Sequence, residues 1–233
     1  MPTALITGAS RGLGAVITEA LADRGWDVLV TARDSAALRE FTDTSARPAR
    51  ITAVAGDVGD EAHRRRLVEH AARLGGLDLV VNNASDLGAT PLPKLVDYPL
   101  DRLTAVLHTN VVAPLALVQA VLPQLRDGAV VVNVSSDAGV EAYEGWGGYG
   151  ASKAALDQVS AVLAVEQPAL RVYAFDPGDM RTQMHQDAYP GEDISDRPEP
   201  HSVVPALLAL VDSRPPSGRY TAAALLATAG SAS

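Results

Sequence analysis

Cysteine is absent from this 233-residue chain, which removes disulfide frameworks, thiolate nucleophiles and cysteine-ligated metals together. The five histidines show no ligand spacing, so no metal site is expected. Aromatic residues make up only 4% against 47% hydrophobic residues overall. A core must then be built from alanine, valine and leucine, the residues of buried parallel strands and their covering helices. Positive charge is scarce as well: 19 basic against 28 acidic residues leave a formal net charge of -9. That balance repels phosphate backbones and anionic lipid, which argues against nucleic-acid and membrane partners and leaves room for a local basic patch around one small anion. No apolar run approaches the roughly 20 residues that cross a bilayer. Met1-Pro2-Thr3 leads straight into a short apolar segment, without the charged and long apolar regions of a signal peptide. A cytoplasmic protein is expected.

What the chain does have is alternation. Its length suits one α/β domain. Short β-rich runs fall at Ala4–Ile6, Asp27–Thr31, Ile51–Ala55, Leu77–Val81, Ala129–Val134, Arg171–Phe175 and Arg219–Leu226. Helical spacing of apolar residues falls between them, over Leu13–Arg24, Ser35–Phe41, Glu61–Leu74, Leu100–Leu125, Ala151–Val165 and Val203–Val211. Such alternation is the mark of repeated βαβ units around a parallel sheet. The unbroken apolar run Ala129–Val134 suits a strand covered on both faces, hence the sheet centre. Residues 85–100 hold three prolines and read as a connection. Asp179–Pro200 is polar and aperiodic, long for a loop inside a compact domain, and predicts a lid or binding loop; the plainer reading is a disordered surface insertion. A small-residue tail is expected to fray.

Two local patterns carry chemistry. Thr7-Gly8-Ala9-Ser10-Arg11-Gly12-Leu13-Gly14 joins the first strand to the first helix. Glycines there allow a tight turn that brings backbone N–H groups of a helix N-terminus against a pyrophosphate. Taken alone, such a turn is as readily structural. In Tyr149-Gly150-Ala151-Ser152-Lys153 the four-residue spacing puts phenol and ammonium on one helix face. The chain has only two lysines, Lys94 and Lys153, and otherwise uses arginine, so a compact ammonium is wanted at Lys153. A nearby cation favours the phenolate and suits a tyrosine to general acid/base work. In isolation the pair is more simply a surface Tyr and Lys.

The ordered set of these residues resembles the short-chain dehydrogenase/reductase family over nearly the whole chain. Thr7, Gly8, Gly12 and Gly14 match its cofactor turn, with Ser10, Arg11 and Leu13 inside it. Asn82-Asn83-Ala84 matches the motif after strand four, and Asn110 the asparagine of the long helix. Ser136 stands thirteen positions before Tyr149, the spacing of the family's serine, and Lys153 completes the tetrad. Asp176-Pro177-Gly178 with Thr182 matches the segment bordering the nicotinamide. The resemblance implies one doubly wound, Rossmann-type domain with a seven-stranded parallel sheet. It also implies an oxidoreductase that moves a hydride between a nicotinamide and a carbonyl/alcohol pair. Tyr149 would be general acid in reduction and general base in oxidation, Ser136 would bond the substrate oxygen, Lys153 would lower the tyrosine pKa and hold the nicotinamide ribose, and Asn110 would order a water. Asp57, Val58, Asn83 and Ala84 join the implied cofactor contacts, and Tyr143 and Trp146 the substrate contacts. A homo-oligomer is implied too. Departures are Ser85, where relatives often have glycine, Pro168, and the lack of a glycine pair in Leu225-Leu226-Ala227. A catalytically silent NADP(H)-sensing regulator is the alternative, and such a protein is expected to lose Tyr149 or Lys153.

For cofactor choice two readings compete. Asp34 lies twenty residues after Gly14, where a bare count finds the acid that binds the ribose of NAD. By the family's pattern, however, the acid ends strand two, which puts Ala32 there and makes Asp34 a helix cap. Arg33 and Arg11 are then placed to meet the 2′-phosphate of NADP. NADP is the expected cofactor; the substrate is a small carbonyl or alcohol that the sequence does not name.

Overall fold

The computed structural model describes residues 1–230. Seven strands form one parallel sheet: β1 (Thr3–Thr7), β2 (Asp27–Thr31), β3 (Ile51–Ala53), β4 (Leu77–Asn82), β5 (Leu125–Val134), β6 (Arg171–Asp176) and β7 (Gly218–Thr221). Their spatial order is β3-β2-β1-β4-β5-β6-β7. The chain therefore runs outward from β1 to β3, crosses back, and runs outward again from β4. The reversal lies between β1 and β4, where a doubly wound sheet opens a crevice at its carboxyl edge.

Period-two side-chain alternation divides the core between the sheet faces. Ala4 and Ile6, Val28 and Val30, Leu79 and Val81, and Tyr173 and Phe175 point to one face, where Ile17 and Leu21 of α1 (Gly12–Asp23) and Leu207 and Leu210 of α8 (Val204–Ser213) cover them. Leu5, Leu29, Val80 and Val131 point to the other, against Leu67 of α3 (Glu61–Arg73) and Leu117 and Val121 of α5 (Ala113–Val121). All these side chains are buried. The shorter α2 (Ser35–Thr44) adds only Leu38 to the first face.

The long expected helix Leu100–Leu125 is divided. It consists of α4 (Leu100–Leu107), a π-helical turn at His108–Val112, α5, and a 3-10 turn at Leu122–Gln124. Strand β5 takes over at Leu125, four residues earlier than expected. Contrary to the reading that no segment reaches membrane-spanning length, the continuous helical stretch Leu100–Gln124 is long and apolar enough to cross a bilayer. Its burial of Val106, Ala113, Leu117 and Val121 makes it a sheet-packing helix.

The end of the chain also needs correction. The strand expected over Arg219–Leu226 stops at Thr221, and α9 (Ala222–Gly230) follows. Ala222 to Ala227 are all alanine or leucine, the strongest helix formers, and the Thr221 hydroxyl accepts from Ala224 N at 3.2 Å as a cap. The last three residues of the tail lie outside the described residues.

Candidate active site

A cleft of about 790 Å³ runs along the carboxyl ends of the central strands. At one end the turn after β1 is locked to the turn after β4. The buried Thr7 hydroxyl accepts from Asn83 N at 3.0 Å and Ala84 N at 2.9 Å, while Asn83 Nδ2 donates to the Thr7 and Gly8 carbonyls at 2.9 and 3.1 Å. Gly8 has φ +67°, and a Cβ there would stand 2.9 Å from Ala84 Cα, so only glycine fits. Gly14 does not line the cleft. A Cβ on it would meet the Gly8 carbonyl oxygen at 2.4 Å, so its role is to let α1 pack tightly behind the turn. Ser10, Arg11, Gly12 and Leu13 do line the cleft, as do Asp57, Val58, Asn83, Ala84, Pro177, Gly178 and Thr182.

Past β2, Ala32 is buried, and Arg33 is exposed on the cleft wall, as is Arg11. Asp34 Oδ1 accepts from Ala36 N and Ala37 N, both at 3.0 Å, which makes it the N-cap of α2. A carboxylate engaged by those two amides is committed to its helix. Among the described residues no carboxylate pairs with Arg11 or Arg33.

At the other end, α6 (Gly147–Glu166) starts four residues earlier than the expected Ala151, which sets Tyr149 in its first turn. Tyr149 and Lys153 are both buried. Lys153 Nζ donates to the Val134 carbonyl at 2.7 Å and lies 5.3 Å from the centre of the Tyr149 ring. Burial pushes the Tyr149 phenol up; hydrogen bonding to Ser85 opposes this, the charges of Asp176 and Asp137 add to it, and hydrogen bonding to Ser136 opposes it again. Burial outweighs both hydroxyls, and the net direction is upward. Burial pushes Lys153 down to about 8, against the pull of Asp157 one turn along the helix.

Ser136 lines the cleft and caps the 3-10 turn Asp137–Gly139: its Oγ accepts from Ala138 N at 3.2 Å and donates to Asp137 Oδ1 at 2.9 Å. Asn110 sits in the π-helical turn, buried and outside the cleft lining. Its Nδ2 donates to the Asp86 carbonyl (2.8 Å) and Ser152 Oγ (2.9 Å), and its Oδ1 accepts from Asp86 N (2.7 Å) and Ser85 Oγ (3.2 Å). Both ends of the amide are used by protein groups. The side chain thereby ties the long helix to the β4 loop and to α6, a contribution distinct from the expected water.

Trp146 lines the cleft beside Leu87 and Met184, and its ring meets Tyr149 edge-on at 5.6 Å. Tyr143, expected to touch substrate, lies elsewhere. It is 43% exposed, lines a separate neighbouring depression, and engages Glu141 Oε2 (2.8 Å) and Asp137 Oδ2 (3.0 Å). The loop turns it away from the cleft, a direction that chain spacing does not encode. The segment Asp179–Pro200 is not wholly aperiodic: Thr182 caps α7 (Gln183–Ala188), and Met180, Thr182, Met184 and His185 face the cleft. Sequence reasoning assigned no site role to Ser85, Asp86 or Leu87, which also line it, as does Asp176 of the Asp176-Pro177-Gly178 segment. The one signal among them was Ser85, as a departure from glycine.

A family model described as short chain dehydrogenase matches residues 2–193. Sepiapterin reductase of Mus musculus is 34% identical over 197 residues, covering 78% of this chain and 76% of the relative. The rhamnolipids biosynthesis 3-oxoacyl-[acyl-carrier-protein] reductase of Pseudomonas aeruginosa is 36% identical over 171 residues, covering 70% and 66%. Among solved structures, a short chain dehydrogenase of Escherichia coli CFT073 complexed with NADPH superposes with a TM-score of 0.88 at 30% identity, covering 95% of this chain and 96% of that one. Strand order, cleft position and these matches agree, and the chain belongs to the short-chain dehydrogenase family of oxidoreductases.

Proposed function

We propose that this chain catalyses the NADPH-dependent reduction of a small carbonyl compound to its alcohol, and the reverse oxidation. The observation that carries the reading is the buried Tyr149 at the cleft wall, with the Ser85 and Ser136 hydroxyls at its oxygen and Lys153 one helical turn away. When bound, NADPH supplies the hydride. In reduction Tyr149 gives its proton to the substrate oxygen, and the upward-shifted phenol is fully protonated for that step at neutral pH. Ser136 turns its hydroxyl from Asp137 to the same oxygen. Lys153 holds its proton in a site that excludes water, positioned against the Val134 carbonyl. Orientation of the reactants accounts for about 7–11 kcal/mol of barrier reduction in sites of this kind.

Several features support NADP over NAD: the two unpaired arginines at the cleft wall, the small buried Ala32, and the commitment of Asp34 to its helix. The left-handed turn at Gly8 and Gly12 suits close approach of a pyrophosphate. Leu87, Trp146 and Met184 give the substrate end an apolar wall, which suits an uncharged carbonyl compound. The names of both relatives are those of reductases, in keeping with the reducing direction. A homo-oligomer acting in the cytoplasm completes the proposal; the exposed Val112, Val162 and Val165 on the α4–α5 and α6 helices supply apolar surface for it. No observation favours a silent sensor, since Tyr149 and Lys153 are both in place.

Consumption of NADPH and of NADH is measured with a panel of uncharged ketones and aldehydes. Turnover with NADPH preferred is expected. Arg33→Ala loses most of that preference, about tenfold for one charge-assisted bond of roughly 1.5 kcal/mol, and adding Ala32→Asp turns it toward NADH. No turnover on any carbonyl, or a native preference for NADH, refutes the corresponding part of the proposal.

A further inference from the structure

The edge strand β7 sends one side chain into the site region from a direction that none of the sequence motifs marked. Arg219 does not line the cleft, yet its guanidinium joins three elements that do the chemistry. Nη2 donates to the Ser136 carbonyl at 3.1 Å and to Asp176 Oδ2 at 2.8 Å, and Nε donates to Asp157 Oδ2 at 3.1 Å. We infer that Arg219 is a positioning residue for proton transfer, clamping the backbone of Ser136 and compensating the two carboxylates that bear on Tyr149 and Lys153. The inference rests on the acid/base reading of that pair.

The charge arrangement makes the case. Asp176 has a side chain only 7% exposed, Asp157 15% and Arg219 27%. Buried carboxylates without a cation are strongly destabilising, and among the described residues Asp157 Oδ1 has no hydrogen-bond partner and Arg219 is the cation paired with Asp157. Each carboxylate acts on one member of the catalytic pair: Asp176 raises the Tyr149 phenol, and Asp157 raises the Lys153 ammonium. The other groups facing Tyr149 are Ser85 from the β4 loop, Ser136 and Asp137 from the β5 loop, and Lys153 from its own helix. None of these is a cation placed against Asp176. Planarity matters too, because a guanidinium satisfies three acceptors in fixed directions, where an ammonium on a flexible stem does not.

Two variants separate charge from hydrogen bonding. Arg219→Gln keeps a donor for the Ser136 carbonyl and removes the charge; Arg219→Lys keeps a charge and loses the fork. Lys153 is followed by NMR in protein labelled at lysine Nζ, a clean readout because Lys94 is the only other lysine. Alcohol oxidation is followed as a function of pH. In Arg219→Gln the Lys153 titration is expected to move upward by roughly 0.5–1 pH unit, less than a direct ion pair would give because Arg219 is partly solvated. The pH of half-maximal oxidation moves upward as well, since the uncompensated Asp176 holds the proton on Tyr149. Arg219→Lys shifts both less. The double variant Arg219→Gln/Asp176→Asn carries the test where the single variant does not fold. In it Lys153 still titrates upward, because Asp157 is still uncompensated, and the oxidation limb returns to its native pH. Unshifted Lys153 titration and an unshifted oxidation limb in the glutamine variants overturn the inference, as does equal loss of rate in Arg219→Lys and Arg219→Gln with no pH shift. The NMR titration needs no turnover. A native protein that reduced no carbonyl would refute the proposed function and leave Lys153 to decide the role of Arg219.

Discussion

Replacing Thr7 by valine tests how the cofactor turn is held. The two side chains have nearly the same shape, so no cavity forms and only the hydroxyl is lost. That oxygen accepts from Asn83 N and Ala84 N. Asn83 N retains the Val81 carbonyl at 3.1 Å as an alternative acceptor, which leaves Ala84 N as the group stranded. One part-buried amide without an acceptor costs about 1–3 kcal/mol. Taking about 2 kcal/mol, the melting temperature falls by about 4–8 °C in a domain of this size. NADPH affinity should fall with it, because the same hydroxyl fixes the spacing between the β1 and β4 turns. Differential scanning calorimetry and a fluorescence titration with NADPH are the assays. Thr7→Ser is the control: it loses a methyl group and some stability but keeps both bonds and should keep native NADPH affinity. A valine variant with native melting temperature and native affinity refutes the assignment of the hydroxyl as the lock between the turns.

Tyr149→Phe removes only the transferable proton, and turnover should drop by at least about 10²-fold with NADPH affinity little changed; near-native rates in steady-state assays would end the acid/base assignment. Lys153 makes a prediction about pH and stability. The folded protein releases its proton near about 8 while the unfolded chain holds it to the usual 10.5. Between those values the unfolded state binds more protons, so this group makes stability rise with pH. Lys153→Met should abolish that rise in urea unfolding measured across the interval, and an unchanged slope would place the lysine in water. The segment Asp179–Pro200 is proposed as a lid, and hydrogen exchange there should slow when NADPH and a carbonyl substrate are added together. Equal protection with and without ligands counts against closure.

The sequence by itself determined the parts of this protein that depend on local pattern. Short β-rich runs such as Asp27–Thr31 identify strands, the glycines at 8 and 12 identify a tight turn, and the four-residue step from Tyr149 to Lys153 puts both on one helix face, because each is set within a few residues of chain. The order Thr7, Asn83, Asn110, Ser136, Tyr149, Lys153 was readable for the same reason. Tertiary structure decided whatever depends on direction in space. Gly14 serves helix packing although its chain neighbours Leu13 and Ala15 line the cleft, and Tyr143 points away from the cleft although it lies between Ser136 and Trp146 in the chain. The run Ala222–Leu226 folds as helix against the expectation of strand, because intrinsic helix preference prevails once Thr221 has ended its pairing with Asp176. The Ser85–Asn110–Ser152 hydrogen bonds and the Arg219 clamp join residues up to 83 positions apart. No spacing rule links such positions; they meet only because the parallel sheet brings the carboxyl ends of β4, β5, β6 and β7 to a common edge.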